Sequence, residues 1–297
     1  MKVITPESTT NHRLLDSGDG FKLEQFGSNT IMRPDTNCVW KPTTTPDNWN
    51  RAVARYQKKG ANWEWTQTKQ FKEPWLFTFH LPATGNKEAV KFTCQLRMSQ
   101  SKNIGIFPEQ AAQWSWMTKL IQEVPYSPNV LNLFGYTGAA SLCAASAGAQ
   151  VCHVDASKPA INWAKENQKL SHLDNAPIRW ILDDCTKFVM REIKRKEMYD
   201  GLIIDPPAFG RDHKGNVFEF EKRVYELLGL CKQVLKPQPL FVIFNGYSMG
   251  YSATVLKNLL HDFFPQAKIN CGELHLIEHT GKRTMPCSIY ARFSSLK

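Results

Sequence analysis

The chain of 297 residues lacks any apolar run approaching the ~20 residues that a membrane-spanning helix needs; compact runs such as Leu240 to Phe244 are far shorter. Its opening, MKVITPESTT, carries a lysine with no apolar stretch behind it, so no secretory signal is expected. The eight cysteines, at 38, 94, 143, 152, 185, 231, 271 and 287, contain no CxxC pair and have the spacing of neither a zinc site nor a disulfide framework. The expectation is a non-membrane, cytoplasmic protein with reduced thiols and no metal. There is no internal repeat, no low-complexity tract and no complete GxGxxG. Acidic residues are scarce: 27 Asp and Glu against 37 Lys and Arg leave a formal net charge of +10. That balance favours a polyanionic partner, because each neutralised phosphate releases condensed counterions. Many basic proteins bind no nucleic acid, so charge alone does not decide, and nothing in the sequence sets an oligomeric state.

What is present divides into two textures. Up to about residue 100, Gly, Pro, Asn and Thr punctuate short extended runs, Phe21 to Phe26, Trp75 to Leu81 and Val90 to Met98. These predict β-strands joined by turns, with one helix around Asn48 to Lys58. From about Pro108, strands Val130 to Phe134, Gln150 to Val154, Ile178 to Leu182, Gly201 to Ile204 and Leu240 to Phe244 alternate with helices. Each strand is short and rich in Val, Ile, Leu or Phe, as in a parallel sheet covered on both faces. Ile269 to Ile277 and Ser288 to Phe293 break the rhythm and predict a terminal antiparallel hairpin at a sheet edge.

In an open α/β sheet, ligands sit beyond the carboxyl ends of the strands where strand order reverses. The turn Phe134-Gly-Tyr-Thr-Gly138 follows the first strand of the alternating region. Its two glycines allow close backbone approach, and the helix start after it favours an anionic group; a G-x-x-G also serves plain strand–helix packing. Asp155 ends the second strand, twenty residues beyond Gly135, where a carboxylate can accept both hydroxyls of a ribose. Asp184 follows the third strand and can orient an adenine amino group. Either acid can instead cap the next helix, with Ser157 competing beside Asp155. The fourth strand ends in Asp205-Pro-Pro-Ala-Phe209, a loop stiffened by two prolines. It joins acceptors to an aromatic ring, which suits a planar base.

The string LNLFGYTGAAS…VDAS…AKENQKL…DDCTKF…IIDPPAFGR resembles the class I S-adenosylmethionine-dependent methyltransferases over roughly residues 104 to 293. It is most similar to the branch of large-subunit ribosomal RNA cytosine-C5 and guanine-N7 methyltransferases. The resemblance implies a Rossmann-like α/β fold for residues 104–297, with a mainly parallel seven-stranded sheet and an antiparallel terminal strand. Residues 1–103 form a small β-rich basic and aromatic domain before it. S-adenosylmethionine is the implied cofactor. Phe134, Gly135, Tyr136, Thr137 and Gly138 would wrap its methionine part, with Asn132 beside them. Asp155 and Ala156 would hold the ribose, Asp184 and Cys185 would flank the adenine, and Asp205 would face the methyl group. Gln110, in the segment Gly105-Ile-Phe-Pro-Glu-Gln110, would also line the pocket, although Pro-Glu-Gln departs from the usual ribosomal RNA enzymes.

A second departure bears on mechanism. Cytosine-C5 methylation needs a thiolate to attack the ring, and neither Asp205 to Arg211 nor Phe244 to Ser248 contains Cys. Transfer to a base nitrogen or to an oxygen is therefore expected, with Asp205, Phe209 and Asn245 as the acceptor-side residues; Asn245 can equally be a turn residue before Gly246. An RNA substrate, with ribosomal RNA first, is the leading expectation. The alternatives are a methyltransferase for protein or a small molecule, a nicotinamide oxidoreductase, and a non-catalytic RNA-binding relative. Between Arg51 and Trp75, Arg55, Lys58, Lys59, Lys69 and Lys72 interleave with Tyr56, Trp63, Trp65, Phe71 and Trp75. That mixture suits single-stranded RNA, or else a small β core with a solvated rim.

Overall fold

The computed structural model describes residues 2–6, 10–71, 75–83, 85–211, 217–247 and 250–296. Lys72 and Ser248, both singled out above, lie outside them.

Strand β1 (Lys2–Ile4) is followed by β2 (His12–Gly18), β3 (Phe21–Phe26), β4 (Asn29–Pro34), the single-turn helix α1 (Pro46–Trp49), β5 (Ala54–Lys59) and β6 (Asn62–Gln67). Strands β2 to β6 form a five-stranded sheet in sequence order, antiparallel except for the parallel β4–β5 pair. The helix expected over Asn48 to Lys58 is thus a correction: helix ends at Trp49 and the span is strand from Ala54 onward. The cause is cross-strand pairing. Tyr56 faces Trp65 and Lys58 faces Trp63 across a two-residue Gly60-Ala61 turn, and aromatic pairs on a hairpin outweigh a weak helical periodicity. Buried under this sheet, the Glu24 carboxylate accepts from Arg33 Nε at 2.8 Å and lies 3.1 Å from His12 Nε2. The Arg33 guanidinium and the Lys22 ammonium hold the Glu24 carboxyl well below the usual carboxylate range against the cost of its burial.

Strands β7 (Leu76–Leu81) and β8 (Val90–Gln95) form a separate hairpin. Backbone N–H groups of Lys91, Thr93 and Gln95 donate to Ser146, Ser171 and Asn167 at 3.2, 3.0 and 2.9 Å. The open edge of β8 is therefore satisfied by side chains from the C-terminal helical region.

That region follows the expected rhythm. A 3₁₀ turn (Pro108–Gln110) leads into α2 (Ala111–Ile121), β9 (Asn129–Leu133), α3 (Ala139–Ser146), β10 (Gln150–Asp155), α4 (Lys158–Leu170), β11 (Ile178–Leu182) and α5 (Cys185–Arg195). Then come β12 (Gly201–Ile204), a small hairpin of β13 (Phe209–Arg211) and β14 (Val217–Glu219), α6 (Phe220–Gln233), β15 (Phe241–Tyr247), α7 (Ala253–Phe263), β16 (Asn270–Ile277) and β17 (Thr284–Ser294). Among the described residues the large sheet has eight strands in the order β1-β16-β17-β15-β12-β9-β10-β11. The five strands from β15 to β11 are parallel, and β17 runs antiparallel to both β15 and β16. The eighth strand beyond the expected seven is β1, which adds in parallel to β16 and covers the edge of the terminal hairpin.

Both faces are packed, which is why the strands are apolar throughout. Trp114, Met117 and Leu142 from α2 and α3 cover one face, and Phe188, Leu227, Leu256 and Leu260 from α5, α6 and α7 cover the other. The chain runs outward from β9 through β10 to β11, then returns to place β12 on the other side of β9. Strand order reverses between β9 and β12, and a crevice opens at their carboxyl ends.

Candidate active site

That crevice is a cavity of about 620 Å³, a size that suits a cofactor with part of a substrate. Of the residues expected to act, Gln110, Asn132, Phe134, Gly135, Tyr136, Thr137, Asp155, Ala156, Asp184, Cys185, Asp205, Phe209 and Asn245 all line it. Gly138 does not. It opens α3 with φ +89°, and a Cβ there would press on Ala164 and Trp180 at 3.0 Å. A side chain there would strain both the backbone and this packing.

The β9 turn is bent sharply. Phe134 and Tyr136 both adopt left-handed backbone, φ 57° and 52°, which a bulky side chain tolerates only when its surroundings impose it. Gly135 between them is compelled by contact: a Cβ would lie 2.3 Å from the ring of buried His153. The turn is locked to β10 by Asp155, whose Oδ2 accepts the Tyr136 N–H and whose Oδ1 accepts the Ser157 N–H, each at 2.8 Å. Asp155 is not the helix cap; Ser157 caps α4 by accepting from the Ala160 N–H at 3.3 Å. Burial pushes the Asp155 carboxyl upward against the pull of these N–H groups. The carboxylate keeps acceptor capacity for a ligand hydroxyl. Asp184 does cap α5, accepting from the Lys187 N–H at 2.9 Å, and lines the cavity as well. Cys185 is buried beside it, and burial raises its thiol well above the ordinary range. It is a neutral thiol at neutral pH.

On the opposite wall, Asp205 ends β12. Burial, followed by the negative charge of Glu109, pushes its carboxyl up to about 7. Phe209 stands at the mouth with 56% of its surface exposed. Asn245 lies inside β15, is 3% exposed, and is not a turn residue. Its side-chain amide bridges Gln110 and Gln113, each at 3.1 Å. Phe107 packs edge-on to both Tyr136 and Tyr247, at 6.0 and 5.1 Å, and this aromatic group closes the side of the cavity. Gln113 was missed in the sequence. Its signal was slight: one amide in the apolar helix AAQWSWM, on the face that points inward.

The residues present fit an adenosyl ligand. An acceptor carboxylate ends β10, a left-handed turn brings backbone close, and Asp205 lines the same cavity. Among the described residues no group of three or more His, Cys, Asp and Glu can hold a metal ion. No helix among them is long and apolar enough to cross a membrane.

Comparison with known proteins agrees with this geometry. Residues 74–249, more than half of the chain, match the family described as S-adenosylmethionine-dependent methyltransferase. A curated relative, the ribosomal RNA large subunit methyltransferase K/L of Shewanella frigidimarina, is 36% identical over 130 residues, which is 43% of this chain. The corresponding protein of Shewanella oneidensis is 35% identical over 130 residues, again 43% of this chain. The chain spans only 18% of the length of either relative. Among solved structures, the SAM-dependent methyltransferase from Agrobacterium tumefaciens superposes with a TM-score of 0.88 at 34% identity. That match covers 99% of this chain and 94% of the other. SMU.776, solved with S-adenosylhomocysteine, superposes at a TM-score of 0.69 and 19% identity, covering 97% of this chain and 76% of its own, and shares the fold. With a matched family model across the cavity-bearing half and a relative of the same architecture along nearly its whole length, the chain belongs to the S-adenosylmethionine-dependent methyltransferases.

Proposed function

We propose that this methyltransferase modifies a nitrogen of a base in RNA, with ribosomal RNA the first candidate. The observation that carries the reading is Asp205 in its setting: a carboxylate balanced near neutrality, on a proline-stiffened loop, with the half-exposed ring of Phe209 four residues on. Bound S-adenosylmethionine supplies a methyl group already activated by its sulfonium. The protein then has to position the acceptor in line and take away one proton, and positioning supplies most of the acceleration. A base nitrogen held in line would accept that methyl group and be left with one proton to lose. The N–H proton passes to Asp205, whose balance near pH 7 suits a general base. Phe209 stacks on the face of the base. In this reading Asp155 and Ala156 hold the ribose, Asp184 and Cys185 flank the adenine, and Asn132 with the Phe134–Thr137 turn holds the methionine part. The neutral thiol of Cys185 supports nitrogen over cytosine C5 as the target.

Support for RNA comes from three directions: the net charge of +10, the names of the curated relatives, and the N-terminal sheet. Trp63, 45% exposed, stacks with Tyr56 at 6.0 Å, with Lys58 paired directly across from it. Tyr56 and Trp65 donate to the carbonyls of Gln100 and Ser101, which lead straight into cavity residue Asn103. Within residues 1–103, we assign the five-stranded sheet β2–β6 to contact with RNA. We place the protein in the cytoplasm, in keeping with eight free cysteines. The deciding experiment is mass spectrometry of modified nucleosides in RNA from cells with and without the gene. Loss of one N-methylated nucleoside, restored by the wild type and not by Asp205→Ala, is the expected result. An unchanged nucleoside profile from a protein that binds S-adenosylhomocysteine would move the substrate to a protein or small molecule.

A further inference from the structure

Arg292 is a cation on an inward-facing position of β17, 9% exposed, packed 4.3 Å over the ring of Trp116 and 5.2 Å from that of Tyr290. Its Nη1 donates to Gln113 Oε1 at 2.5 Å. Gln113 Nε2 donates to Asn245 Oδ1 at 3.1 Å, and Asn245 Nδ2 donates to Gln110 Oε1 at 3.1 Å. Gln110 Nε2 then reaches Asp205 Oδ2 at 3.5 Å. Three side-chain amides, from α2, β15 and the 3₁₀ turn, therefore run head to tail from a buried guanidinium to the carboxylate at the cavity.

The direction of this chain is dictated at the Arg292 end, and at the Asp205 end whenever that carboxyl is ionised. A guanidinium has donors and no acceptor, so the oxygen of Gln113 must face it. An ionised carboxylate only accepts, so the amino group of Gln110 must face Asp205. Turning over any one amide in between would set oxygen against oxygen on one side and N–H₂ against N–H₂ on the other. In a buried site each such mismatch costs the full desolvation of the unpaired groups. The three amides are thus coupled and have one register.

We propose that Arg292 and Gln113 are positioning residues for the acceptor site: through Asn245 they fix the orientation of Gln110, which holds one oxygen of Asp205 and leaves the other free for the acceptor. The proposal rests on Asp205 as the carboxylate that meets the acceptor. Its test reads Asp205 directly, so the two can fail separately. Gln113→Glu keeps the size of the side chain and gains an ion pair with Arg292, but it can no longer donate to Asn245. Asn245 must then turn its amino group toward Glu, Gln110 turns its own toward Asn245, and the Gln110 oxygen faces Asp205. The ionised form of Asp205 loses its donor and its proton is held more tightly.

The measurement is the ¹³Cγ resonance of Asp205 against pH in aspartate-labelled full-length protein without ligand, assigned by its disappearance in Asp205→Asn. The wild-type midpoint reflects burial and the neighbouring charge of Glu109. Gln113→Glu is expected to raise it by at least one pH unit. Because the substitution also adds a charge, Gln113→Glu is repeated in an Asn245→Leu background, where the link is cut and the rise should vanish. A folded Gln113→Glu protein with the wild-type midpoint overturns the proposal. So does a rise that survives undiminished beside Asn245→Leu, since that is charge acting through space. If Gln113→Glu does not fold, Arg292→Met against Arg292→Lys makes the same comparison: Lys should keep the wild-type midpoint and Met should raise it in the Asn245 background alone. Equal midpoints for the two Arg292 variants overturn the proposal as well.

Discussion

Gly135→Ala adds one methyl group to the β9 turn, and the structure says where it goes. The new carbon would sit 2.3 Å from His153 Cε1 and 2.4 Å from Nδ1. His153 cannot retreat cheaply: it is fully buried, its ring lies 4.6 Å from that of Trp180, and its Nδ1 is held by Ser141 Oγ at 2.9 Å. Overpacking of this kind costs about 1–3 kcal/mol. Breaking the buried Ser141–His153 bond adds roughly 1 kcal/mol or more. Against that, alanine restricts the unfolded chain and returns about 0.4–1 kcal/mol. The net expectation is a loss of about 2–3 kcal/mol, read as a lower urea midpoint at unchanged slope. The assay is a double-mutant cycle with His153→Ala, which removes the obstructing ring. In that background Gly135→Ala should cost no more than about 0.5 kcal/mol, the scale at which non-interacting substitutions simply add. An equal loss in both backgrounds would refute the contact as the reason for glycine.

Asp155→Asn places an amino group where both oxygens now accept backbone N–H groups; S-adenosylhomocysteine affinity by calorimetry should fall at least tenfold, and a change under threefold contradicts the ribose reading (1.4 kcal/mol per factor of ten). The Asp205 carboxyl is raised from 3.8 to about 7, so the folded protein binds more protons than the unfolded chain between those values, and stability contributed by the protonated acid is lost as pH rises through about 7. Asp205→Asn should therefore be more stable than wild type at pH 8 and no more stable at pH 4 by thermal unfolding; the same gain at both values would show that its charge is not the cause. Trp63→Ala should weaken RNA binding by about 1–3 kcal/mol if a base stacks there, and Lys58→Ala should reduce the salt slope of binding by about one. S-adenosylhomocysteine binding should be untouched in both variants, and RNA affinity unchanged in both would remove the N-terminal sheet from the interface.

Much of the cofactor half was legible because each of its elements carries a local signal. Strands such as Gly201–Ile204 are uniformly apolar and buried, and their helices have punctuated ends. Asp155 and Asp184 were visible as acids at strand ends, but which of them capped a helix was not, since Ser157 and Asp184 obey the same preference. The N-terminal half was harder to read. Its strands are short and polar, and β5 reads as helix from its own residues because its partner β6, which decides the matter, lies beyond it in sequence. The amide chain to Asp205 left almost no trace. Gln113 and Arg292 are 179 residues apart, and each shows only as one polar residue in an apolar stretch. A polar residue on a buried face announces that a partner exists without saying where it is.

Strand β1 has a consequence for how the molecule is assembled. The three residues Lys2–Ile4 lie against Gly272, Glu273 and Leu274, so the outermost rung of the catalytic sheet joins two segments far apart in sequence. During synthesis β1 must wait for β16, made much later, before it can dock, and closing so long a loop is slow. Until then the flank of β16 offers unsatisfied backbone groups to any passing extended peptide. Docking of β1 seals that flank.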